Sequence, residues 1–343
     1  MRSPADAPVT SFKAFVDGRP VGAARAWVTT SAAVGSTGEA EQQVSVPLPE
    51  RDCEVAIIAE NKNAASVPAT VRLRWRGAKP AVAGTDTFTI KPKLYILAVG
   101  VSKYDDPDNR LTYPAKDARD FVAALLVQKG GLYRDVEIKL LTDADATKDN
   151  ILDGLDWVQK QTTSKDVAVV FLSGHGLNDT NGIYYYLPVN FTPERIKSRG
   201  LPFSDIKTTL EAIAGKALFF VDTCHSGNVL GAGAGTKARG SLPDITGLVN
   251  ELSSAENGVV VFASSTGKQV SLENETWNNG AFTKALVEGL TGKADYNGKG
   301  RITINMLDLY LSERVKELTA GRQSPTTTKP QTIQDFPIAV IIR

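Results

Sequence analysis

From residue 93 onward the chain alternates two patterns. Short strands, most of them continuous apolar runs, appear at LYILAVGV (94–101), VEIKLLTD (136–143), DVAVVFLSGHG (166–176), KALFFVDTCHSG (216–227) and GVVVFASS (258–265). Between and after them lie segments with helical periodicity. These are AKDARDFVAALLVQK (115–129, with Phe121, Leu125 and Leu126 on one side), KDNILDGLDWVQKQ (148–161), FTKALVEGL (282–290) and INMLDLYLSERVKEL (304–318). Asp145 or Thr147 is placed to cap the second of these helices. Strands apolar throughout are buried on both faces, so the pattern predicts an α/β domain over 93–343, a mostly parallel sheet flanked by helices.

Before residue 80 the pattern differs. VTSFKAFV, AARAWVTT, QQVSVPLP, CEVAIIAE and ATVRLRWR are rich in Val, Thr and aromatics and partly alternate, and DGRP, GSTG and ENKN punctuate them. That spacing predicts a small all-β sandwich over residues 1–79. Its last strand puts Val71, Leu73 and Trp75 on one face. A Gly-, Pro- and Thr-rich linker over 80–92 joins the two regions. Cys53 reads as a small core residue of the first region.

Composition narrows the function classes. The 343 residues carry a net charge of +1, with 42% hydrophobic and 22% charged residues, ordinary for a globular protein of about two domains. No basic run with interleaved aromatics occurs, which argues against nucleic acid as a partner. No apolar stretch reaches the ~18 residues of a membrane span. MRSPADAPVTSFK lacks an apolar core, so no secretory signal is visible. The two cysteines, Cys53 and Cys224, form neither a disulfide framework nor a metal-ligand pattern. Free thiols favour a reducing compartment, and the expectation is a cytoplasmic protein.

Candidate chemistry centres on one cysteine and one histidine. His175 in SGHG follows the apolar run VAVVFL, and Cys224 in DTCHSG follows ALFFV, about 50 residues later. In an open parallel sheet, sites form beyond the carboxyl ends of the strands. Two reactive side chains at two such ends can meet there. A cysteine attacks as thiolate, and an imidazole can take its proton. The only other histidine, His225, adjoins Cys224, and neighbouring side chains of an extended chain leave in opposite directions. Glycines beside His175 and Cys224 permit close substrate approach. The N–H groups of Gly176 and Cys224 are candidates for an oxyanion hole.

The boxes SGHG (173–176) and DTCHSG (222–227) resemble the His and Cys boxes of the caspase-like cysteine peptidases, of metacaspase or orthocaspase type. LYILAVGVSKY, LTYPAKDARDF and NNGAFTKALVEGL extend the resemblance over roughly 93–343, and the N-terminal strands are similar, more weakly, to an immunoglobulin-like module. The resemblance implies a cysteine endopeptidase with a His175–Cys224 dyad. Animal caspases, which cut after Asp, carry Gln two residues before the nucleophile, where this chain has Asp222. In metacaspases the equivalent Asp binds a basic side chain together with an acid near the first helix, which Asp117 matches; Glu273 in SLENE is a third candidate. Carboxylates attract Lys or Arg and repel Asp, so the expected substrates are proteins or peptides cut after Arg or Lys.

The Gly-rich stretch NVLGAGAGTKARGSLPD (228–244) carries Lys237 and Arg239 where relatives are self-cleaved. Many metacaspases need calcium. Here the stretch after the His box holds only Asp179, and DADATKD (143–149) lacks the Gly and terminal Glu of a calcium loop, so no cofactor and no calcium requirement are expected. The alternative functions are a catalytically silent caspase-fold scaffold and a Cys–His hydrolase acting on a non-peptide bond. Oligomeric state does not follow from the sequence.

Overall fold

The computed structural model describes chiefly residues 11–20, 52–61, 64–75, 91–179, 181–225, 258–265, 271–330 and 333–342. Arg19, Pro20, Cys224 and His225 are described through their backbone alone. The chain divides into two compact units, one drawn mainly from Met1–Phe88 and the other mainly from Thr89 onward.

The first unit is all-β. Strands β1 (Ser11–Val16), β2 (Arg19–Pro20), β3 (Cys53–Glu60) and β4 (Ala69–Leu73) form one antiparallel sheet in the order β2-β1-β3-β4. Phe15, Ala56 and Ile58 make its buried cluster, and Cys53 is buried. The expected strands AARAWVTT and QQVSVPLP fall largely outside the described residues, and with them the second layer of the expected sandwich. On the face assigned to Val71, Leu73 and Trp75, Val71 and Trp75 are exposed and Leu73 is half-buried, since no described element covers that face of β4.

The second unit is built on an eight-stranded sheet. Its parallel strands are β5 (Lys93–Gly100), β6 (Asp135–Thr142), β7 (Val167–Asn178), β10 (Lys216–His225) and β11 (Val259–Ala263). They lie in the order β11-β10-β7-β5-β6, with β14 (Thr326–Thr328) antiparallel on the β11 edge. Two short strands, β8 (Tyr184–Tyr186) and β9 (Leu201–Pro202), pair antiparallel beyond the end of β7.

Alternation along β7 assigns the helices to faces. Val170 joins a cluster with Ile151 and Leu155 of α2 (Lys148–Gln161) and with Ile206 and Leu210 of a later helix, α4 (Phe203–Ala212), which follows the single turn α3 (Ile196–Arg199). Phe171 turns to the other face and stacks on Phe121 of α1 (Pro114–Leu126) at 4.6 Å. The aromatic row continues from Phe121 to Phe220 at 5.2 Å and from Phe220 to Phe262 at 4.7 Å. It runs across three strands and fixes α1 over β7 and β10. Helices α5 (Ala281–Glu288) and α6 (Ile304–Leu318) complete that layer.

Three local readings are refined. Thr147, not Asp145, caps α2, its hydroxyl accepting the Asn150 N–H. DADATKD is a strand-to-helix turn in which Asp143 accepts the backbone N–H groups of Ser102 and Lys103. The third strand reaches two residues further than expected, to Asn178, because β8 pairs with Gly176–Asn178, and β7 and β10 stay in register to Gly176 and His225. Among the described residues no helix is long and apolar enough to cross a membrane.

The aromatic row generates a stability prediction. Phe121→Ala removes the ring shared by Phe171 and Phe220 and should cost about 3–5 kcal/mol. Thermal unfolding followed by circular dichroism is the check, and a midpoint equal to wild type would refute it.

Candidate active site

The chain crosses from one side of β5 to the other between β6 and β7, so the strand order reverses between β5 and β7. In doubly wound sheets such a reversal opens a crevice at the carboxyl ends. His175 lies there, near the end of β7. Cys224 is its register partner on β10, as Asp222 is the partner of Ser173. Paired positions on adjacent strands sit about 4.8 Å apart.

His175 is buried, and its Nε2 lies 2.9 Å from the carbonyl oxygen of Asn109, in the loop after β5. A carbonyl only accepts, so Nε2 carries the proton and the neutral ring keeps its lone pair on Nδ1. Burial holds the imidazole below its usual pKa, and the bond to Asn109 offsets part of that. The ring is therefore neutral near pH 7 and able to accept a proton.

The glycines of SGHG have a steric reason. A Cβ at Gly176 would lie 2.3 Å from the Tyr184 hydroxyl, which donates to Thr223 Oγ1 at 2.9 Å, one residue before Cys224. Gly174, at φ +146°, would meet the hydroxyls of Tyr104 and Tyr186. Tyr186 donates to the Ser173 carbonyl at 2.8 Å. His225 is register-paired with Gly176, one step beyond the Cys224–His175 pair.

The three sequence-selected acids converge. Asp117 is in the first turn of α1, Asp222 on β10, and Glu273 on the short strand β12 (Glu273–Asn274), whose partner is β13 (Asn279–Gly280). A Cβ at Gly280 would lie 3.0 Å from Asp222 Oδ2 and 3.1 Å from Asp117 Oδ2, so both carboxylates face one point. Asp222 accepts from Ser271 Oγ at 2.5 Å and Thr283 Oγ1 at 2.8 Å. Asp117 accepts from Asn279 Nδ2 at 2.8 Å and from the Gly280 N–H. Asn279 also donates to Asp120, itself paired with Lys116. Glu273 accepts the Thr112 N–H at 3.3 Å.

All three carboxyls are pushed up. For Asp117 burial leads, the charge of Asp222 adds, and the bonds from Asn279 and Gly280 only partly offset them. For Asp222 burial leads against hydrogen bonds from Ser271, Thr283 and Ser264. For Glu273 burial leads and Asp222 adds, against the backbone of Thr112 and Tyr113. A buried acidic cluster of this kind suits a cation with several donors. Among the described residues, no group of three or more His, Cys, Asp and Glu side chains is arranged to hold a metal ion.

Lys237 and Arg239 lie outside the described residues. The sequence reading missed Asn109, whose contribution is a carbonyl that any residue carries. It also missed Ser271, Thr283 and Asn279, although the last two lie in the quoted NNGAFTKALVEGL. Gln323, fully buried, accepts the Leu272 N–H and donates to the Ser264 carbonyl, knitting the segment that carries Ser271 to the end of β11.

A family model described as the caspase domain of peptidase C14 matches residues 93–337. Among solved structures, the crystal structure of protein GSU0716 from Geobacter sulfurreducens is similar, with a TM-score of 0.50 and 19% identity. The likeness covers 73% of this chain and all of that one, and at such identity it speaks for the fold alone. No curated protein matches the chain.

The acidic cluster makes a stability prediction. A carboxylate whose folded pKa is raised destabilises the protein wherever it is ionised, and the penalty disappears as pH falls and it protonates. Asp117→Asn, which keeps an acceptor for Asn279, should therefore raise the thermal midpoint at neutral pH by about 2–4 °C. The gain should shrink on acidification. A lower midpoint at neutral pH, or a gain independent of pH, would contradict it.

Proposed function

Because the chain belongs to the caspase-domain family of cysteine peptidases, peptidase C14, across residues 93–337, we propose that it is an endopeptidase cutting protein chains after Arg or Lys by a Cys224–His175 dyad. The observation that carries this reading is the register of β7 and β10, which pairs Cys224 with His175, together with the Asn109 carbonyl on His175 Nε2.

The chemistry follows from the tautomer. Nδ1 of His175 takes the thiol proton, and the thiolate of Cys224 attacks the scissile carbonyl carbon. The N–H groups of Gly176 and Cys224 donate to the developing oxyanion. As the C–N bond breaks, the imidazolium returns its proton to the leaving amine, leaving a thioester. A water, deprotonated by His175, then attacks the thioester and releases the new carboxyl end. The sequence of steps is complete without a metal ion.

Specificity is assigned to the acids. An Arg or Lys side chain entering beside Gly280 meets Asp117, Asp222 and Glu273, and its charge restores the ionised forms that burial disfavours. Binding is thereby coupled to proton release, so kcat/KM toward basic substrates should fall on the acid side at a pH above the ordinary carboxylate range. An Asp side chain would meet like charge in a buried site, a cost of several kcal/mol.

Cys224→Ala should abolish hydrolysis. Fluorogenic peptides ending in Arg or Lys should be cut at least about 100-fold faster than Asp-ended ones. Asp222→Asn should erase most of that preference while leaving alkylation of Cys224 by iodoacetamide intact. Faster cleavage of Asp-ended peptides would overturn the assignment of specificity, and undiminished activity of Cys224→Ala that of the nucleophile.

We also propose self-processing within the Gly-rich stretch 228–244. Intact-mass spectrometry of the purified protein should show cleavage after Lys237 or Arg239 in wild type and none in Cys224→Ala. A nick that survives the substitution would exclude self-processing there.

A further inference from the structure

His175 is gripped from two directions by a single loop. Asn109 supplies the carbonyl on Nε2. Five residues earlier, the buried Tyr104 reaches the same residue. Its hydroxyl accepts the His175 backbone N–H at 2.8 Å and donates to the Leu187 carbonyl at 3.2 Å. Leu187 in turn donates its N–H to the His175 carbonyl at 3.0 Å. The Tyr104 ring lies against the imidazole, with centroids 4.9 Å apart and planes inclined at 37°.

The loop that presents both groups is itself fixed. Arg110 Nε donates to the Tyr104 carbonyl at 3.3 Å, and the Asp106 carboxylate accepts from Asn109 Nδ2 at 3.1 Å. Ring contact, backbone contact and the carbonyl on Nε2 are therefore one rigid arrangement. Gly174, with no Cβ, leaves the space that the Tyr104 hydroxyl occupies.

We propose that Tyr104 is a positioning residue for the peptidase reaction: its hydroxyl fixes the backbone of His175 while its ring confines the imidazole to the orientation that keeps Nε2 on Asn109 and Nδ1 basic. The inference rests on the Cys224–His175 reading above. A side chain that only filled space would need neither a hydroxyl bonded on both sides nor a ring laid on the imidazole. Small misplacements of a reacting group are costly: about 1 Å can mean a hundredfold loss of rate.

The test replaces Tyr104 with Phe, which keeps the ring and removes the hydroxyl. Tyr133→Phe serves as comparison, since Tyr133 is equally buried and donates to the Ile338 carbonyl, away from the site. Two readouts are taken on the full chain. The first is kcat and KM on an Arg-ended fluorogenic peptide. The second is the NMR titration of histidine-selectively labelled protein, tractable because His175 and His225 are the only histidines. His225→Gln identifies the second signal.

The expected result for Tyr104→Phe is a kcat lower by roughly 10- to 100-fold with KM unchanged. Its His175 titration should move further down, because loosening the Asn109 bond removes the contribution that offsets burial while the Phe ring keeps the imidazole buried. Tyr133→Phe should lose comparable thermal stability without either change. Should the Phe variant fail to fold, Arg110→Ala carries the test, because Arg110 is exposed and holds only the Tyr104 carbonyl of this arrangement. It should shift the same two readouts in the same directions, by less. Wild-type kcat and an unmoved His175 titration, in whichever variant folds, would overturn the proposal. If Cys224→Ala proves fully active, the dyad reading fails separately, and the titration still decides whether Tyr104 holds His175.

Discussion

The site depends on a ten-step parallel ladder between β7 and β10, from Val167 with Lys216 to Gly176 with His225. Parallel pairing has a fixed offset, and a slip of one residue would send every side chain of one strand to the opposite face. The offset that matches Val170 with Phe219 and Phe171 with Phe220 in the core is the same one that matches His175 with Cys224 at the end. Core packing thereby sets the alignment of His175 and Cys224. The aromatic row of Phe121, Phe171, Phe220 and Phe262 reads that offset from the α1 face. It also carries Asp117 on the same helix to the acids on the sheet.

At the carboxyl ends of these strands the molecule spends some of the stability that the core supplies. Asp117 and Asp222 are buried, of like charge when ionised and close to one point beside Gly280, and among the described residues each is held by neutral donors rather than by a cation. Contrast Glu288 on α5. Burial alone would raise its pKa, but hydrogen bonds from Arg314, Tyr310 and Lys293 outweigh it and bring it to about 2. Glu288 is a carboxylate satisfied within the fold. The pair at Gly280 is hydrogen-bonded to neutral groups, and burial keeps both carboxyls raised, the electrostatic state on which the proposed recognition of a basic side chain rests.

Much of this was legible in the residues. Apolar runs located β5, β7, β10 and β11 because parallel strands are buried on both faces. The helix α6 was read to the residue, since its period and its capping Thr303 agree. The extension of β7 to Asn178 was not legible, because pairing with β8 is a property of the tertiary fold. The exposure of Val71 and Trp75 on β4 could not be read, because alternation marks a strand with two different faces but not whether anything covers either. The acids were found through resemblance, while their hydrogen-bonding partners and the Asn109 carbonyl carry no pattern that a sequence displays.

The glycines of SGHG and the tyrosines around them are cast and mould. Gly176 is hollow where Tyr184 is full, and Gly174 where Tyr104 and Tyr186 meet. The couples differ in how they constrain change: at Gly176 the tyrosine must shrink before the glycine can grow, whereas Gly174, at φ +146°, is held by its backbone whatever becomes of the rings.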